Sequence, residues 1–219
     1  MKALDRRTVV IGLGLGAGAL AVAGLAGCGA KSAATPAATA RPDLYNCEGC
    51  EAVAERDRAA MASVVRLAGA DEPGERMVLS GRALHPDSGA PVAGVIVYAH
   101  HTNAAGLYAN GSEESLWSRR RGRLRGWALT DVNGEYRFDT IKPAPYPDMS
   151  MPAHVHLFIG EPGRPPYYID DAVFDGEFGV TDAYRARSER RGGEGIVRLQ
   201  RSPEGVWLAR RDVLLERHG

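Results

Sequence analysis

From Arg76 to the end of the chain, short runs in which apolar and polar residues alternate are separated by turn sequences. Alternation with a period of two predicts β-strands that have one buried and one exposed face. The strand-like runs are residues 76–84, 94–102, 125–131, 135–141, 153–160, 167–174, 195–200 and 205–215. Asn133-Gly134, between two of these runs, is a strong hairpin signal. Eight such strands with little helical periodicity predict an all-β fold, an antiparallel β-sandwich with long loops.

The segment before these strands has a different pattern. Residues 51–67 have helical composition, and Val53, Met61 and Val64 belong to a modest apolar stripe. We therefore expect a short N-terminal helix within residues 46–70, packed against a β-sandwich domain of residues 71–219. A domain of that length has enough residues to bury one core.

The N-terminus is typical of an export segment. Basic residues that end in the pair Arg6-Arg7 precede an uncharged, glycine- and alanine-rich run from residue 8 to residue 27. This arrangement resembles a twin-arginine signal, and the closing "LAGC" resembles a lipoprotein box in which Cys28 is lipidated. We interpret residues 1–27 as an export signal and residues 28–45 as a flexible tether, which predicts a cell-envelope lipoprotein that contacts the membrane only through its lipid. A retained transmembrane anchor is the alternative.

The charge balance argues against one class of partner. The chain has 27 Lys and Arg against 27 Asp and Glu, so it offers no electrostatic basis for binding nucleic acid. The basic cluster "WSRRRGRLRGW", residues 117–127, is therefore interpreted as a solvated loop at the mouth of a pocket.

Two cysteines remain if Cys28 carries lipid. Cys47 and Cys50 have C-x-x-C spacing, which can chelate a metal or exchange as a dithiol. One such pair provides only half of a zinc site, and no βαβ pattern surrounds it. In an oxidising compartment we favour a local disulfide between the two.

Two histidines lie two residues apart in the run "AHVHLFIG". Strand alternation places His154, His156 and Phe158 on one face, with Val155 and Leu157 on the other. Two imidazoles on one face of a strand can bind a single metal ion, but two half-exposed histidines on a polar face explain an isolated H-x-H as well.

Nearby tyrosines strengthen the metal interpretation. Tyr146 precedes His154 by eight residues, in a loop whose prolines restrict the backbone. Tyr108 lies further upstream, in a segment of small residues, "HTNAAGLYANG". A single tyrosine in a loop usually packs its apolar ring and leaves its hydroxyl in water. The metal interpretation therefore depends on the two tyrosines occurring together with the H-x-H pair.

Three stretches, in this order, resemble the intradiol ring-cleavage dioxygenases, the family of the catechol and protocatechuate dioxygenases: "SGRALHPDSGAPVAGVIVYAHHTNAAGLY", "LRGWALTDVNGEYRFDTIKPAPYP" and "PAHVH". The resemblance spans residues 76–175, and the C-terminal part looks like the exported, lipoprotein-type branch. It implies a prealbumin-like β-sandwich, in agreement with the strand pattern. At the family's motif positions it implies that Tyr108, Tyr146, His154 and His156 bind one non-haem Fe(III) ion per chain.

The same resemblance implies an activity, the cleavage of a catechol-type aromatic by O2 to a cis,cis-muconate-type diacid. Tyr108 is implied to be the ligand that stays bound, and Tyr146 the catalytic ligand that leaves when substrate binds. Two phenolates and one hydroxide would balance the three charges of the ion, which suits a partly dry pocket. Relatives are often dimers or larger, so a homo-oligomer fits the resemblance, although no interface pattern can be read from the sequence.

One position departs from the family. Met151 stands three residues before His154, where the family usually has an arginine whose cation stabilises charge developing on the substrate. Arg125, or another basic residue, is a candidate for that catalytic role, and a surface residue beside a turn is the plain alternative for Arg125.

Two further hypotheses stay open. The stretch 78–102 also resembles prealbumin-like domains of bacterial surfaces, which would make the chain a non-enzymatic binding module without the four ligands. An iron-binding but weakly active homologue, limited by Met151, is the other.

Overall fold

The computed structural model of the protein describes residues 39–111 and 115–218. The predicted export signal, Cys28 and residues 28–38 of the predicted tether lie outside the described residues and stay predictions. Within the described part, no helix has the length and apolar character needed to cross a bilayer.

The described chain contains eleven β-strands, two short α-helices and two 3-10 helices. The strands are β1 (Val64–Arg66), β2 (Arg76–Leu84), β3 (Ile96–His101), β4 (Arg125–Leu129), β5 (Glu135–Ile141), β6 (His154–Gly160), β7 (Tyr167–Phe174), β8 (Ile196–Val197), β9 (Leu199–Arg201), β10 (Trp207–Arg210) and β11 (Val213–Leu214). The α-helices are α1 (Leu116–Arg121) and α2 (Asp182–Arg187), and the 3-10 helices are Cys50–Ala54 and Arg58–Ala60.

The strands form two sheets. One has the order β1-β5-β2-β10-β9, with β11 also paired to β2, and the other has the order β4-β3-β6-β7-β8. The longer strands pair antiparallel, whereas the short strands β1, β8, β10 and β11 add to the sheets in parallel. The predicted all-β sandwich is therefore confirmed, although both sheets are mixed.

The main core lies between the two sheets. It includes Leu79 of β2 and Phe138 of β5 from one sheet, and Val97 of β3 and Leu157 of β6 from the other. A second apolar cluster covers the opposite face of the β4-β3-β6 sheet, where Phe158 packs with residues of α1 and the first 3-10 helix. The predicted alternation of β6 is confirmed, because its apolar residues face the main core and its histidines share the outer face with Phe158.

Three segments differ from the sequence predictions. The expected helix over residues 51–67 is wrong as one continuous element. Two short 3-10 helices occupy its first part, and the β-branched Val64 and Val65 pair with β5 as strand β1. The tether does not extend to residue 45, because Leu44 is buried in the main core. The basic cluster is not a loop throughout, since α1 and the start of β4 lie within it.

Candidate metal centre

Four side chains converge at the N-terminal end of β6, the central strand of its sheet. His154 and His156 are on β6, Tyr146 is in the loop after β5, and Tyr108 is in the loop after β3. The Tyr108 oxygen lies 2.9 Å from the Tyr146 oxygen and 3.0 Å from His156 Nε2. His154 Nε2 lies 3.3 Å from the Tyr146 oxygen and 3.0 Å from His156 Nε2. The four predicted ligand atoms thus form a closed ring.

The two tyrosine loops are held together by backbone contacts. Thr102 Oγ1 donates to the Ala144 carbonyl at 2.7 Å, and the Ala144 amide donates to the Asn103 carbonyl at 3.3 Å. Gly106 has a φ of +76°, and a Cβ there would lie 2.0 Å from the Pro145 carbonyl oxygen. A glycine at this position therefore allows the loop that carries Tyr108 to reach the loop that carries Tyr146.

We expect Gly106→Ala to separate the two tyrosine loops. The added methyl group would strain a left-handed backbone and collide with a carbonyl oxygen, so Tyr108 and Tyr146 could no longer meet. Iron content after purification should fall to less than about a tenth of wild type, because two of the four donors are displaced. Gly89→Ala is the matched control, since Gly89 also has positive φ but open space around it. Full iron content in Gly106→Ala would show that a glycine at this position is not needed for the two tyrosine loops to meet.

Both histidines are oriented by acceptors on their far nitrogens. His154 Nδ1 lies 2.7 Å from the Pro152 carbonyl oxygen, and His156 Nδ1 lies 2.9 Å from Asp171 Oδ1. Because a carbonyl and a carboxylate accept hydrogen bonds, each imidazole carries its proton on Nδ1. Each Nε2 then presents a lone pair, and the two lone pairs face one another across 3.0 Å.

Burial shifts the pKa values of two residues in the cluster. Burial, followed by the hydrogen bond from Tyr146, raises the pKa of the Tyr108 phenol well above its usual range. Burial and then the neighbouring His156 lower the pKa of the His154 imidazole. The protein alone therefore disfavours the phenolate form of Tyr108 and the charged form of His154, and a Tyr108 phenolate would require a positive ion beside it.

The donor spacing fits a single metal ion. Metal–nitrogen and metal–oxygen bonds are about 2.0–2.2 Å long in proteins, so donors that share one ion lie about 3 Å from their neighbours. The four edges of the ring, from 2.9 to 3.3 Å, match that spacing. Asp171 also lies close enough to the histidines to be counted with them as a possible ligand group. Its hydrogen bond to His156 Nδ1 instead gives it the role of orienting that ring.

Arg125 does not join this cluster. Its guanidinium pairs with Glu55 Oε2 at 2.5 Å and donates to Ser115 Oγ at 3.1 Å and to the Tyr98 hydroxyl at 3.3 Å. Its charge is thus already neutralised by a carboxylate. Met151, the residue in place of the family arginine, lies instead on the wall of the cavity described next.

A cavity of about 680 Å³ opens beside His156. Asp171 of β7, and Tyr184 and Arg187 of α2, line one side of it. Met149, Met151 and Phe178 also line it, and all three expose a third or more of their surface. The metal centre therefore has an adjoining space with an apolar rim.

Asp171 is the site residue that the sequence reasoning missed. Its signal is visible in "YYIDDAVF", where two carboxylates interrupt an otherwise apolar strand. A charged residue in a central strand usually has a partner, and β7 lies directly beside β6. A register shift between the two strands made the partner impossible to assign from sequence alone.

Known proteins share this sequence pattern. The family model described as Dioxygenase matches residues 52–190 of the chain. The protocatechuate 3,4-dioxygenase beta chain of Burkholderia cepacia is 37% identical over 92 residues, which are 39% of this chain and 39% of that protein. Catechol 1,2-dioxygenase 1 of Acinetobacter lwoffii is 32% identical over 105 residues, which are 41% of this chain and 33% of that protein. The matched regions span well under half of each relative.

Solved structures share the fold. The dioxygenase domain of a dioxygenase and carbohydrate-binding protein fusion from Streptomyces sp. SirexAA-E has a TM-score of 0.52 at 20% identity, covering 71% of this chain and 90% of that one. Catechol 1,2-dioxygenase from Acinetobacter sp. ADP1 has a TM-score of 0.53 at 22% identity, covering 73% of this chain and 58% of that one. At this identity the likeness establishes the architecture.

Proposed function

Because the chain belongs to the intradiol ring-cleavage dioxygenase family, we propose that it cleaves a catechol-type aromatic with O2 to a cis,cis-muconate-type diacid. We propose further that one non-haem ferric ion per chain is the cofactor. The closed ring of two phenol oxygens and two imidazole nitrogens is the observation that supports both proposals.

Tyr108, Tyr146, His154 and His156 would hold the ion. Phenolate oxygens are hard donors suited to a trivalent cation, and the two lone pairs that face each other on the histidines gain a shared partner. A ferric ion bound there would act as a Lewis acid that makes a bound catecholate susceptible to O2. The protein would orient the four donor side chains and keep them partly buried.

The two tyrosines would have different roles. The Tyr108 oxygen lies 3.0 Å from His156 Nε2, whereas the Tyr146 oxygen lies 3.3 Å from His154 Nε2. The 2.9 Å contact joins the two oxygens and does not distinguish them. Residues 147–150, directly after Tyr146, are exposed. Tyr146 would thus be the donor that gives way to the substrate, taking one proton of the catechol onto its phenolate oxygen while the charge-balancing hydroxide takes the other, and Tyr108 would stay in place.

The cavity favours catechols with an uncharged substituent. Its volume of about 680 Å³ lies within the range of about 300–1,000 Å³ that holds drug-sized ligands, so it has room beyond one aromatic ring. Its rim carries Met149, Met151 and Phe178, and Met151 removes the cation that the family usually has nearby. The lining has three carboxylates, Asp170, Asp171 and Glu189, against one cation, Arg187, so its net negative charge would repel a substrate carboxylate.

Iron content, colour and oxygen uptake test the proposal. Protein from iron-replete cells should contain about one iron per chain and show a burgundy tyrosinate-to-iron band, which a chelator removes and added iron restores. Catechol should be consumed with one O2 each, and 4-alkylcatechols should have a lower KM than protocatechuate, because the lining disfavours a carboxylate. A colourless, iron-free preparation would favour the non-enzymatic binding module.

A weakly active homologue is the second candidate, and Met151 is the observation that favours it. In that case the protein would show the tyrosinate-to-iron band, and the band would shift when catechol is added. Oxygen uptake would stay at background with every catechol tried.

A further inference from the structure

Helix α1 places one arginine against the metal centre. Arg121 Nη1 lies 2.5 Å from His100 Nε2, and Arg121 Nη2 donates to the Glu48 carbonyl oxygen at 2.9 Å. The same guanidinium lies over the Phe158 ring, 5.1 Å from its centroid. Arg121 therefore bridges the turn that contains Glu48 and a histidine of β3.

His100 packs directly on two of the proposed ligands. It is 1% exposed, lies opposite His156 in the pairing of β3 with β6, and has its ring centroid 4.4 Å from that of His156. The Tyr108 ring lies edge-on to it at 5.8 Å. A rotation of the His100 imidazole would thus displace both His156 and Tyr108.

Arg121 provides the hydrogen bond that fixes this ring. A guanidinium can only donate, so His100 Nε2 accepts from it and the ring proton is on Nδ1. That Nδ1 is buried and has no hydrogen-bond partner among the described residues. The rotation of His100 about its side-chain bonds is therefore set by Arg121 and by ring packing.

Arg121 differs from its neighbours in charge pairing. Arg120 pairs with Glu48 Oε1, Arg123 with Glu72 and Arg125 with Glu55. Within residues 39–111 and 115–218, Arg121 has no carboxylate within ion-pair distance, and its acceptors are a histidine nitrogen and a backbone carbonyl.

The turn of the C-x-x-C motif, residues 47–50, forms the surface on which the Arg121 guanidinium packs. Cys47 and Cys50 are joined by a disulfide, with their Cα atoms 5.8 Å apart. Between them, Gly49 has a φ of +84°, and a Cβ there would lie 2.0 Å from Arg121 Nη2. The turn therefore leaves the space that Arg121 fills and offers the Glu48 carbonyl as acceptor.

We propose that Arg121, seated on the Cys47–Cys50 turn, is a positioning residue that locks His100 beneath His156 and Tyr108. The proposal rests on the proposed function for its catalytic consequence. The C-x-x-C motif would then have a structural role, since its turn holds the Arg121 guanidinium. The arginine that acts on the site would be Arg121 of α1 rather than Arg125 of β4.

Variants on both sides of the contact test the proposal. Arg121→Met and Gly49→Ala should each retain iron but lower kcat by roughly tenfold or more, with KM changed less than about twofold, because the ligands are misplaced and the cavity is intact. Each should also broaden or shift the tyrosinate-to-iron band. Arg120→Met is the matched control, since Arg120 is exposed and pairs with the side chain of Glu48. Arg121→Lys should recover little, because one ammonium cannot span both acceptors. Full activity in the Arg121→Lys variant, or in both Arg121→Met and Gly49→Ala, would contradict the proposal that Arg121 positions His100.

A measurement without metal separates this inference from the proposed function. In metal-free protein, 15N-correlated NMR should show His100 with its proton on Nδ1, and Arg121→Met but not Arg120→Met should shift the ring signals of His156 and Tyr108. Unchanged His156 and Tyr108 signals in Arg121→Met would overturn the positioning role, whether or not the protein cleaves catechols.

Discussion

His156→Ala is expected to abolish retention of iron. The variant removes one of the four donors, His156 Nε2. That nitrogen contacts both the Tyr108 oxygen and His154 Nε2, so two of the four contacts between donors are lost. Tyr108→Phe should have a similar effect, because it removes an oxygen that contacts both Tyr146 and His156. Iron per chain after purification should fall to less than about a twentieth of wild type, measured by elemental analysis and by the visible band.

His85→Ala provides the control for this experiment. His85 is an exposed turn residue, so its loss should leave iron content unchanged. Circular dichroism should show that His156→Ala keeps the β-rich fold. Stoichiometric iron in folded His156→Ala protein would remove that histidine from the proposed ligand set.

Asp171→Ala is expected to weaken iron binding by about 10–100-fold without removing any proposed ligand. The carboxylate accepts from His156 Nδ1 at 2.9 Å, so its loss frees the imidazole to rotate and to change tautomer. Asp171→Asn should recover most of the affinity, because its amide oxygen can still accept the same hydrogen bond. Competition with a coloured chelator gives the two affinities.

Asp87→Ala is the matched control, since Asp87 is an exposed carboxylate that pairs with Arg217 in a distant turn. Equal iron affinity for Asp171→Ala and wild type would show that ring packing alone orients His156. A loss in Asp171→Asn as large as in Asp171→Ala would show that the negative charge, not the acceptor, is what the site requires.

Much of the site was predictable because its residues lie on elements with simple geometry. Alternation along β6 alone placed His154 and His156 on one face, and the structure confirms that placement. The long strands were predictable for the same reason, and β5 and β7 begin and end where the pattern does. That two distant loops bring Tyr108 and Tyr146 to the same point came from the family resemblance, since spacing along the chain does not determine how loops meet.

The parts that could not be predicted depend on tertiary contacts. Strand β1 forms because β5 offers an unpaired edge to Val64 and Val65, which local helical composition does not reveal. The roles of Arg121 and Arg125 depend on which carboxylates lie nearby, and Glu55 is 70 residues from Arg125 in the chain but pairs with it. A basic run therefore shows where positive charge is concentrated but not which acceptor each guanidinium contacts.

The proposed ligands come from separate parts of the chain, and Tyr108 and His156 are 48 positions apart. None of the four contributes to the core between the two sheets. The packing of the sandwich core therefore does not depend on the proposed ion. We therefore expect metal-free protein to keep its β-rich fold, so that the proposed iron could be removed and restored without unfolding the chain.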